Sequence, residues 1–505
     1  MAGFNKVVRP IATTSHEGGV VYEKSPINEW MNMLFSSFME DKFYESAVDQ
    51  QQRFIELTGK MADAYGYEFV AKAAVFARNE LGMRSISQLV AAWLNNKTLD
   101  RKRQFYRAFM HRPDDVAEIF AATDYLWGKK SRSHALVRGA ADYLSTLKPQ
   151  TLAKYKLNSR DYNMYDLINI THAHSKAIDD YKRDCLEKAD TWEVKISGAE
   201  NVEKKNQEWK RLVVEHKLGY MALIRNLNNI LEADVYQDWI DTYLVPQITD
   251  EKAIVKSLMF PYRFYTAYKN LKIHNLSVDY ALGKAFVIAA KHNAPQLQGP
   301  SGIMLDVSGS MEDRISAKSD ITIKEVGACF AVALLISNPN CSIVKFGTVA
   351  KTYIYSPLDN PFTTIKQICA NDGCGYGTNI VPALYEMSKY IGLKRMFIIS
   401  DMQVMDPYNY TWNYYGHRSD ATKVYNTEFG DLPLYSFDLG NYHTQIKTPN
   451  DPKMHYITAL NDQVFKFIGL LESGINLVDH INSFNYCKCS LFSPSFLCRT
   501  LSLGA

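Results

Sequence analysis

Five oxygen-bearing side chains in the second half of the chain are placed where they could bind one cation. Asp306, Ser308 and Ser310 occupy alternate positions directly after an apolar run. Thr378 precedes a helical pattern, and Asp401 follows another apolar run. Carboxylate and hydroxyl oxygens suit a hard cation such as Mg²⁺. If the apolar runs are parallel strands, their carboxyl ends meet at one edge of a sheet, so the pattern predicts a magnesium site there.

Metal-assisted hydrolysis would need more than these five residues. A hydrolytic centre uses a base near an activated water, or a second metal ~3.5–4 Å away. The sequence beside the five candidates offers Glu312 and Asp313, but no histidine. We therefore expect the site to bind a partner and expect no catalytic residue.

The elements that would carry this site begin after the Pro- and Gly-containing segment 295–301. Short apolar runs there alternate with helical patterns. The predicted strands are Ile303–Val307, Ser342–Phe346, Met396–Ser400 and Leu434–Leu439, and the predicted helices are Ile321–Ser337, Ile380–Ile391, Val464–Leu471 and Ile475–Phe484. Buried strands alternating with helices imply a parallel sheet covered on both faces. We predict a doubly wound α/β domain over residues 296–484 and a tail, 485–505, that no pattern assigns.

Residues 27–290 show a different pattern, in which apolar residues recur at helical spacing. One example is the stripe of Phe69, Ala73, Phe76 and Ala77. Gly and Pro residues separate the stripes, so the helices have short connections. Stacked antiparallel helix pairs are the simplest architecture for such a segment. We predict an all-α domain of degenerate, HEAT-like repeats over residues 20–295.

Basic residues are interleaved with aromatic residues in one part of this helical half. Lys129, Lys130 and Arg132 closely follow Tyr125 and Trp127. Such interleaving suits single-stranded nucleic acid, because bases stack on rings while cations neutralise phosphates. The same pattern also fits one exposed helix face above a buried stripe, and both interpretations stay open.

Length, charge and cysteine usage give broader limits. The 505 residues exceed the roughly 250–300 that one core supports, which favours two domains. Residues 1–300 carry a net charge of +5 and residues 301–505 a net charge of −2, which permits phosphate binding without demonstrating it. The N-terminus lacks the apolar core of a signal peptide, and no apolar run approaches the ~20 residues of a membrane span. We expect a cytoplasmic protein with reduced cysteines.

Cys487, Cys489 and Cys498 are either reduced tail thiols or part of a metal cluster whose fourth ligand is not evident.

The ordered set Asp-x-Ser-x-Ser, Thr, Asp resembles the metal-ion-dependent adhesion site of von Willebrand factor A domains. Stretches of the helical half are similar, in order, to motifs of the TROVE module of Ro ribonucleoproteins. These stretches are Trp127-Gly-Lys-Lys, Lys154-Tyr-Lys-Leu-Asn-Ser-Arg160 with Asp166-Leu-Ile-Asn-Ile-Thr-His172, Gly219-Tyr-Met-Ala-Leu-Ile-Arg225-Asn-Leu, and Phe260-Pro-Tyr-Arg-Phe-Tyr-Thr-Ala-Tyr-Lys269. The resemblance covers roughly residues 27–484.

This resemblance implies a ring of helical repeats followed by a von Willebrand A-like domain. It implies that small structured Y-like RNA binds the outer surface and that single-stranded 3′ ends of misfolded RNA enter the ring. At the metal site it implies that Asp306, Ser308, Ser310 and Thr378 bind the ion or its waters, that Asp401 acts mainly through water, and that an acidic protein partner completes the shell.

The resemblance also assigns RNA contacts to Lys154, Arg160 and His172. Lys and Arg neutralise phosphates, and His donates to phosphate or stacks on a base. Each residue has a structural alternative: Lys154 as a solvated helix residue, Arg160 as a partner of Asp161 or Asp166, and His172 as a helix-end residue. The leading hypothesis is a non-catalytic RNA-binding ribonucleoprotein component. The alternative is a metal-dependent protein-interaction scaffold without RNA.

Overall fold

The computed structural model describes residues 12–14, 20–23, 25–36, 46–186, 192–315, 320–354, 359–404, 421–439, 444–445, 453–457, 464–473 and 477–486. Within them, the chain divides into two compact units, one from residues 49–191 and 475–505 and the other from residues 1–48 and 192–474. No helix in these ranges is long and apolar enough to cross a membrane.

The first of these units is helical. Its helices are α2 Ala47–Tyr65, α3 Tyr67–Asn79, α4 Ser85–Trp93, α5 Lys102–Phe109, α6 Pro113–Trp127, α7 His134–Leu144, α8 Pro149–Lys154, α9 Met164–Thr171, α10 Lys176–Lys182 and, near the C-terminus, α25 Leu477–Ser483. Helices contact their next-but-one neighbours, as in α4 with α6, α5 with α7, α7 with α9 and α8 with α10. This layering is that of stacked helix pairs.

A buried carboxylate joins three of these helices. The side chain of Asp115, in α6, is fully buried. It accepts hydrogen bonds from Arg78 Nη2 in α3 at 2.8 Å and from Gln88 Nε2 in α4 at 2.7 Å, and also from the backbone N–H groups of His111 and Arg112. These donors hold the pKa of Asp115 below its usual range although burial opposes this.

The second unit combines helices with two sheets. Its helices are α1 Pro26–Ser36, α11 Trp192–Ser197, α12 Val202–Val214, α13 Tyr220–Arg225, α14 Leu227–Leu231, α15 Gln237–Trp239, α16 Val245–Ile248, α17 Glu251–Ser257, α18 Pro261–Lys269, α19 Leu276–Asn293, α20 Ile323–Ser337, α21 Pro361–Cys369, α22 Ile380–Ser388, α23 Ala421–Phe429 and α24 Val464–Glu472. A π-helical turn spans Ile240–Leu244.

The larger sheet has six strands in the order β5-β4-β3-β6-β7-β9. These are β3 Ser301–Asp306, β4 Cys341–Phe346, β5 Ala350–Tyr353, β6 Arg395–Ser400, β7 Leu434–Asp438 and β9 Met454–Ile457. All neighbours are parallel except β4 and β5. Strands β1 Ala12–Thr14, β2 Val20–Glu23 and β8 Thr444–Gln445 form a small antiparallel sheet.

Strand β3 and helix α20 show why the sequence builds this sheet. Every residue of β3 is buried, as expected for a central parallel strand. Helix α20 is apolar on nearly all sides and begins with a capping box, in which Thr322 Oγ1 accepts from the Glu325 N–H. Phe330 of α20 packs on Phe437 of β7, with ring centroids 4.5 Å apart.

The predicted α/β pattern is confirmed, with boundaries shifted by a few residues. The change from helices to strands falls between α19 and β3, where the sequence predicts it. The compact unit nevertheless groups α11–α19 with the sheet, and Phe260, before α18, packs 4.6 Å from Phe465 of α24. The domain limits 20–295 and 296–484 stay predictions. The tail from 487 onward, with Cys487, Cys489 and Cys498, lies outside the described residues.

Candidate metal centre and basic surface

The predicted metal ligands come together at one edge of the larger sheet. Asp306 ends β3, and Asp401 directly follows the adjacent parallel strand β6. Ser310 begins a short 3₁₀ turn after β3. Thr378 lies just before α22, and its Oγ1 donates to Ser308 Oγ at 3.0 Å although 70 residues separate them.

Hydrogen bonds orient the oxygens of this cluster. Asp306 Oδ1 accepts the Ser308 backbone N–H at 2.8 Å, and its Oδ2 accepts Ser400 Oγ at 2.5 Å. The Ser308 and Ser310 hydroxyls lie 3.4 Å apart. Ser310 also hydrogen-bonds Asp401, a contact that favours the charged form of that carboxylate. The five oxygen-bearing side chains therefore form one connected group.

Two glycines allow the loop that carries Thr378 to approach the sheet. A Cβ on Gly347, after β4, would lie 2.3 Å from the Gly375 carbonyl oxygen. Gly375 itself has a φ of +82°, which disfavours larger residues. The Asn379 N–H donates to the Gly347 carbonyl at 2.8 Å and holds the loop that carries Thr378 against the end of β4.

The electrostatics of the group suit a cation. Asp306 is fully buried and Asp401 is 3% exposed. Burial raises the pKa of both carboxyls, and the charge of Asp401 raises the pKa of Asp306 further. Within the described part of the chain, no Lys, Arg or His forms an ion pair with either carboxylate. Two buried carboxylates without a countercharge are the environment that a bound cation stabilises.

The donor set fits Mg²⁺ rather than a softer metal. No described group of three or more His, Cys, Asp or Glu side chains is arranged to hold a metal. The cluster instead combines two carboxylates with three hydroxyls, which matches an ion held through one or two carboxylates that keeps several waters.

Sequence reasoning missed two residues of this edge. Ser400 donates to Asp306, and Asp438, 1% exposed at the end of β7, raises the pKa of Asp401. Both are polar residues that end buried strands, and the rule that identified Asp306 and Asp401 would have found them too.

The basic candidates lie in the helical unit and differ in their surroundings. Lys129 and Lys130 are exposed after α6. Arg132 is only 12% exposed, pairs with Asp124 at 2.7 Å and hydrogen-bonds the Tyr162 hydroxyl. This gives Arg132 a structural role in joining α6 to the loop that carries Tyr162, and its RNA contact stays a prediction.

Lys154, Arg160 and His172 are exposed. Arg160 pairs with Glu118 of α6 at 2.6 Å rather than with Asp161 or Asp166. His172 ends α9 in a left-handed conformation, with φ of 54°. Arg132 and Arg160 thus both contact α6, and Tyr125, 70% exposed, lies on the same helix. The structure shows Lys154, Arg160 and His172 at the surface, and their binding of RNA stays a prediction.

Comparisons with known proteins agree with this architecture. Residues 172–280 match the family described as the TROVE domain. An 86-residue segment is 31% identical to telomerase protein component 1 of Rattus norvegicus and 33% identical to that of Mus musculus. That segment is 17% of this chain and 3% of each relative.

The fold resembles that of the Ro (RSR) protein of Deinococcus radiodurans. The TM-score is 0.60 at 16% identity, over 89% of this chain and 100% of the Ro chain. Residues 172–280 are therefore similar to the TROVE domain, and the chain has the fold of a Ro protein, with stacked helices together with a six-stranded α/β sheet.

Proposed function

We propose that this chain is an RNA-binding component of a ribonucleoprotein, without catalysis of its own. The match of residues 172–280 to the TROVE domain, together with the Ro-like fold, carries this proposal. Its RNAs would be small structured, Y-like noncoding RNA and the 3′ ends of misfolded RNA.

The helical unit offers suitable chemistry for such a ligand. Lys129, Lys130, Lys154, Arg160 and His172 are exposed. Exposed Lys and Arg bind phosphate, and this contact supplies most of the sequence-independent affinity for nucleic acid. The Arg160–Glu118 pair does not prevent this, because an exposed ion pair contributes only about 0–1 kcal/mol and can exchange for phosphate.

We assign the metal centre a binding role beside this function. Asp306, Ser308, Ser310 and Thr378 would hold Mg²⁺ or its waters, and Asp401 would contribute mainly through water. An ion of this kind supplies an open position for an acidic side chain of a protein partner. If RNA binding failed, a metal-dependent protein-interaction scaffold would be the alternative function, supported by the same connected oxygens.

The proposal is tested by crosslinking RNA to the protein in cells, purifying the protein under denaturing conditions and sequencing the RNA. We expect folded noncoding RNA and RNA with single-stranded 3′ ends to be enriched over the Lys154/Arg160/His172 triple alanine variant. Equal recovery from both proteins, or no RNA above background, would contradict the proposal.

A further inference from the structure

One aromatic ring in the helical unit, that of Tyr155, lies close to two cationic side chains. Tyr155 directly follows α8. The Arg112 guanidinium carbon lies 5.5 Å from the centroid of the Tyr155 ring, and Lys154 Nζ lies 6.0 Å from it. These distances are within the range of cation–π attraction. Tyr155 therefore brings Arg112, before α6, beside the C-terminus of α8.

A buried carboxylate orients the arginines of this cluster. Asp114 has a side chain only 8% exposed. It accepts hydrogen bonds from Arg84 Nη2 at 2.5 Å and from Arg112 Nε at 3.0 Å. The side chains of Arg84 and Arg112 remain 40% and 44% exposed. One negative charge beneath the surface thus holds two partly exposed positive charges.

The carboxylate of Asp115, next to Asp114 in the chain, does not neutralise the positive charge of Arg84, Arg112 and Lys154. Asp115 is fully buried and is paired with Arg78. Arg84, Arg112 and Lys154 against Asp114 leave a net charge of +2. Partly fixed guanidiniums lose less side-chain entropy on binding, and their planar donors match the oxygens of a phosphate.

We propose that Arg84, Arg112 and Lys154, gathered around Tyr155 and Asp114, form a phosphate-binding subsite for the RNA backbone. The subsite extends the RNA surface from Lys154 to the junctions before α4 and α6. This inference rests on the proposed RNA-binding function, since Lys154 belongs to both. A phosphodiester is favoured because two of the cations, Arg112 and Lys154, lie beside an aromatic ring that a base or sugar can contact.

The test measures binding of the full chain to a fluorescent RNA hairpin with a single-stranded 3′ tail, over a range of salt. Arg84→Gln and Arg112→Gln each remove one phosphate contact. We expect each to weaken binding about tenfold and to reduce the salt slope by about 0.7–0.9. Arg112→Lys should keep the slope but lose part of the affinity, because it retains the charge without the planar donors.

Arg103→Gln is the matched control. It removes the same charge and breaks an ion pair, Arg103–Asp142 at 2.6 Å, whose side chains are also partly exposed. It should leave affinity within about twofold of the native chain. If the glutamine variants fold and bind like Arg103→Gln, the subsite is refuted while RNA binding stands. If they unfold, native affinity in Arg112→Lys refutes it. If the native chain binds no RNA, the proposed function and this subsite both fail.

Discussion

Ser400 Oγ donates a hydrogen bond to Asp306 Oδ2 at 2.5 Å, and this contact joins the carboxyl ends of the neighbouring strands β6 and β3. Removing a residue that hydrogen-bonds to a metal ligand, without itself contacting the metal, typically weakens metal binding by about 10- to 100-fold. We expect Ser400→Ala to weaken Mg²⁺ binding by that factor, measured by calorimetry. Ser388→Ala is the control, because the Ser388 hydroxyl donates only to the Tyr385 carbonyl in α22. Equal Mg²⁺ affinity in both variants would contradict the role of Ser400.

Asp306→Asn distinguishes a role of Asp306 in binding Mg²⁺ from a role in stabilising the fold. The buried Asp306 carboxylate is costly without a cation, so Asn should leave the metal-free protein as stable as the native chain at about pH 8, or more stable. Mg²⁺ should raise the melting temperature of the native chain and not that of the variant. RNA affinity should be unchanged. Stabilisation of Asp306→Asn by Mg²⁺ would show that the ion binds elsewhere.

Burial and the nearby charge of Asp401 raise the pKa of Asp306, so we expect Mg²⁺ binding at this carboxylate to depend on pH. A carboxyl whose pKa is higher in the folded than in the unfolded chain binds protons more tightly when folded. Its contribution therefore destabilises the metal-free protein above the folded pKa and vanishes below the unfolded value of about 4. Because Mg²⁺ must displace the proton, its stabilising effect should be larger at about pH 8 than at about pH 5.5. A thermal shift that is independent of pH would contradict this.

The buried pair Arg78–Asp115 should dominate the stability of the helical unit. Asp115→Ala leaves Arg78 buried and unpaired, which costs about 3–5 kcal/mol. Asp142→Ala breaks the exposed pair with Arg103 and should cost no more than about 1 kcal/mol. Urea unfolding followed by circular dichroism compares the two. Since the pKa of Asp115 is lowered, its contribution is present above the unfolded pKa and is lost as pH falls through the folded one. Similar costs for both variants would contradict the assignment.

The sequence predicts this architecture well where a local pattern repeats. The apolar runs within β3 and β6 and the helical stripes are local signals, and the ends of β3 and β6 identify Asp306 and Asp401. Strands β5 and β9 lie at the two edges of the sheet and are short, so their patterns are weak.

Contacts between distant residues could not be read in this way. The pairing of Arg160 with Glu118 rather than with nearby Asp161 depends on how α6 packs against the loop after α8. The burial of Arg132 between Asp124 and Tyr162 likewise depends on how α6 packs against the loop that carries Tyr162. Charge and aromatic spacing alone could not distinguish a surface cation from one engaged in structure.

The most direct measurement of the central claim is the affinity of the full chain for a structured RNA with a single-stranded 3′ end, from low to physiological salt. We predict binding whose logarithm falls linearly with the logarithm of salt concentration, by roughly 0.7 per phosphate contact. The Lys154/Arg160/His172 triple alanine variant should bind more weakly while its melting temperature stays nearly unchanged, since exposed substitutions cost about 0.5 kcal/mol or less. Absence of binding at low salt, or equal affinity in the folded triple variant, would contradict the account.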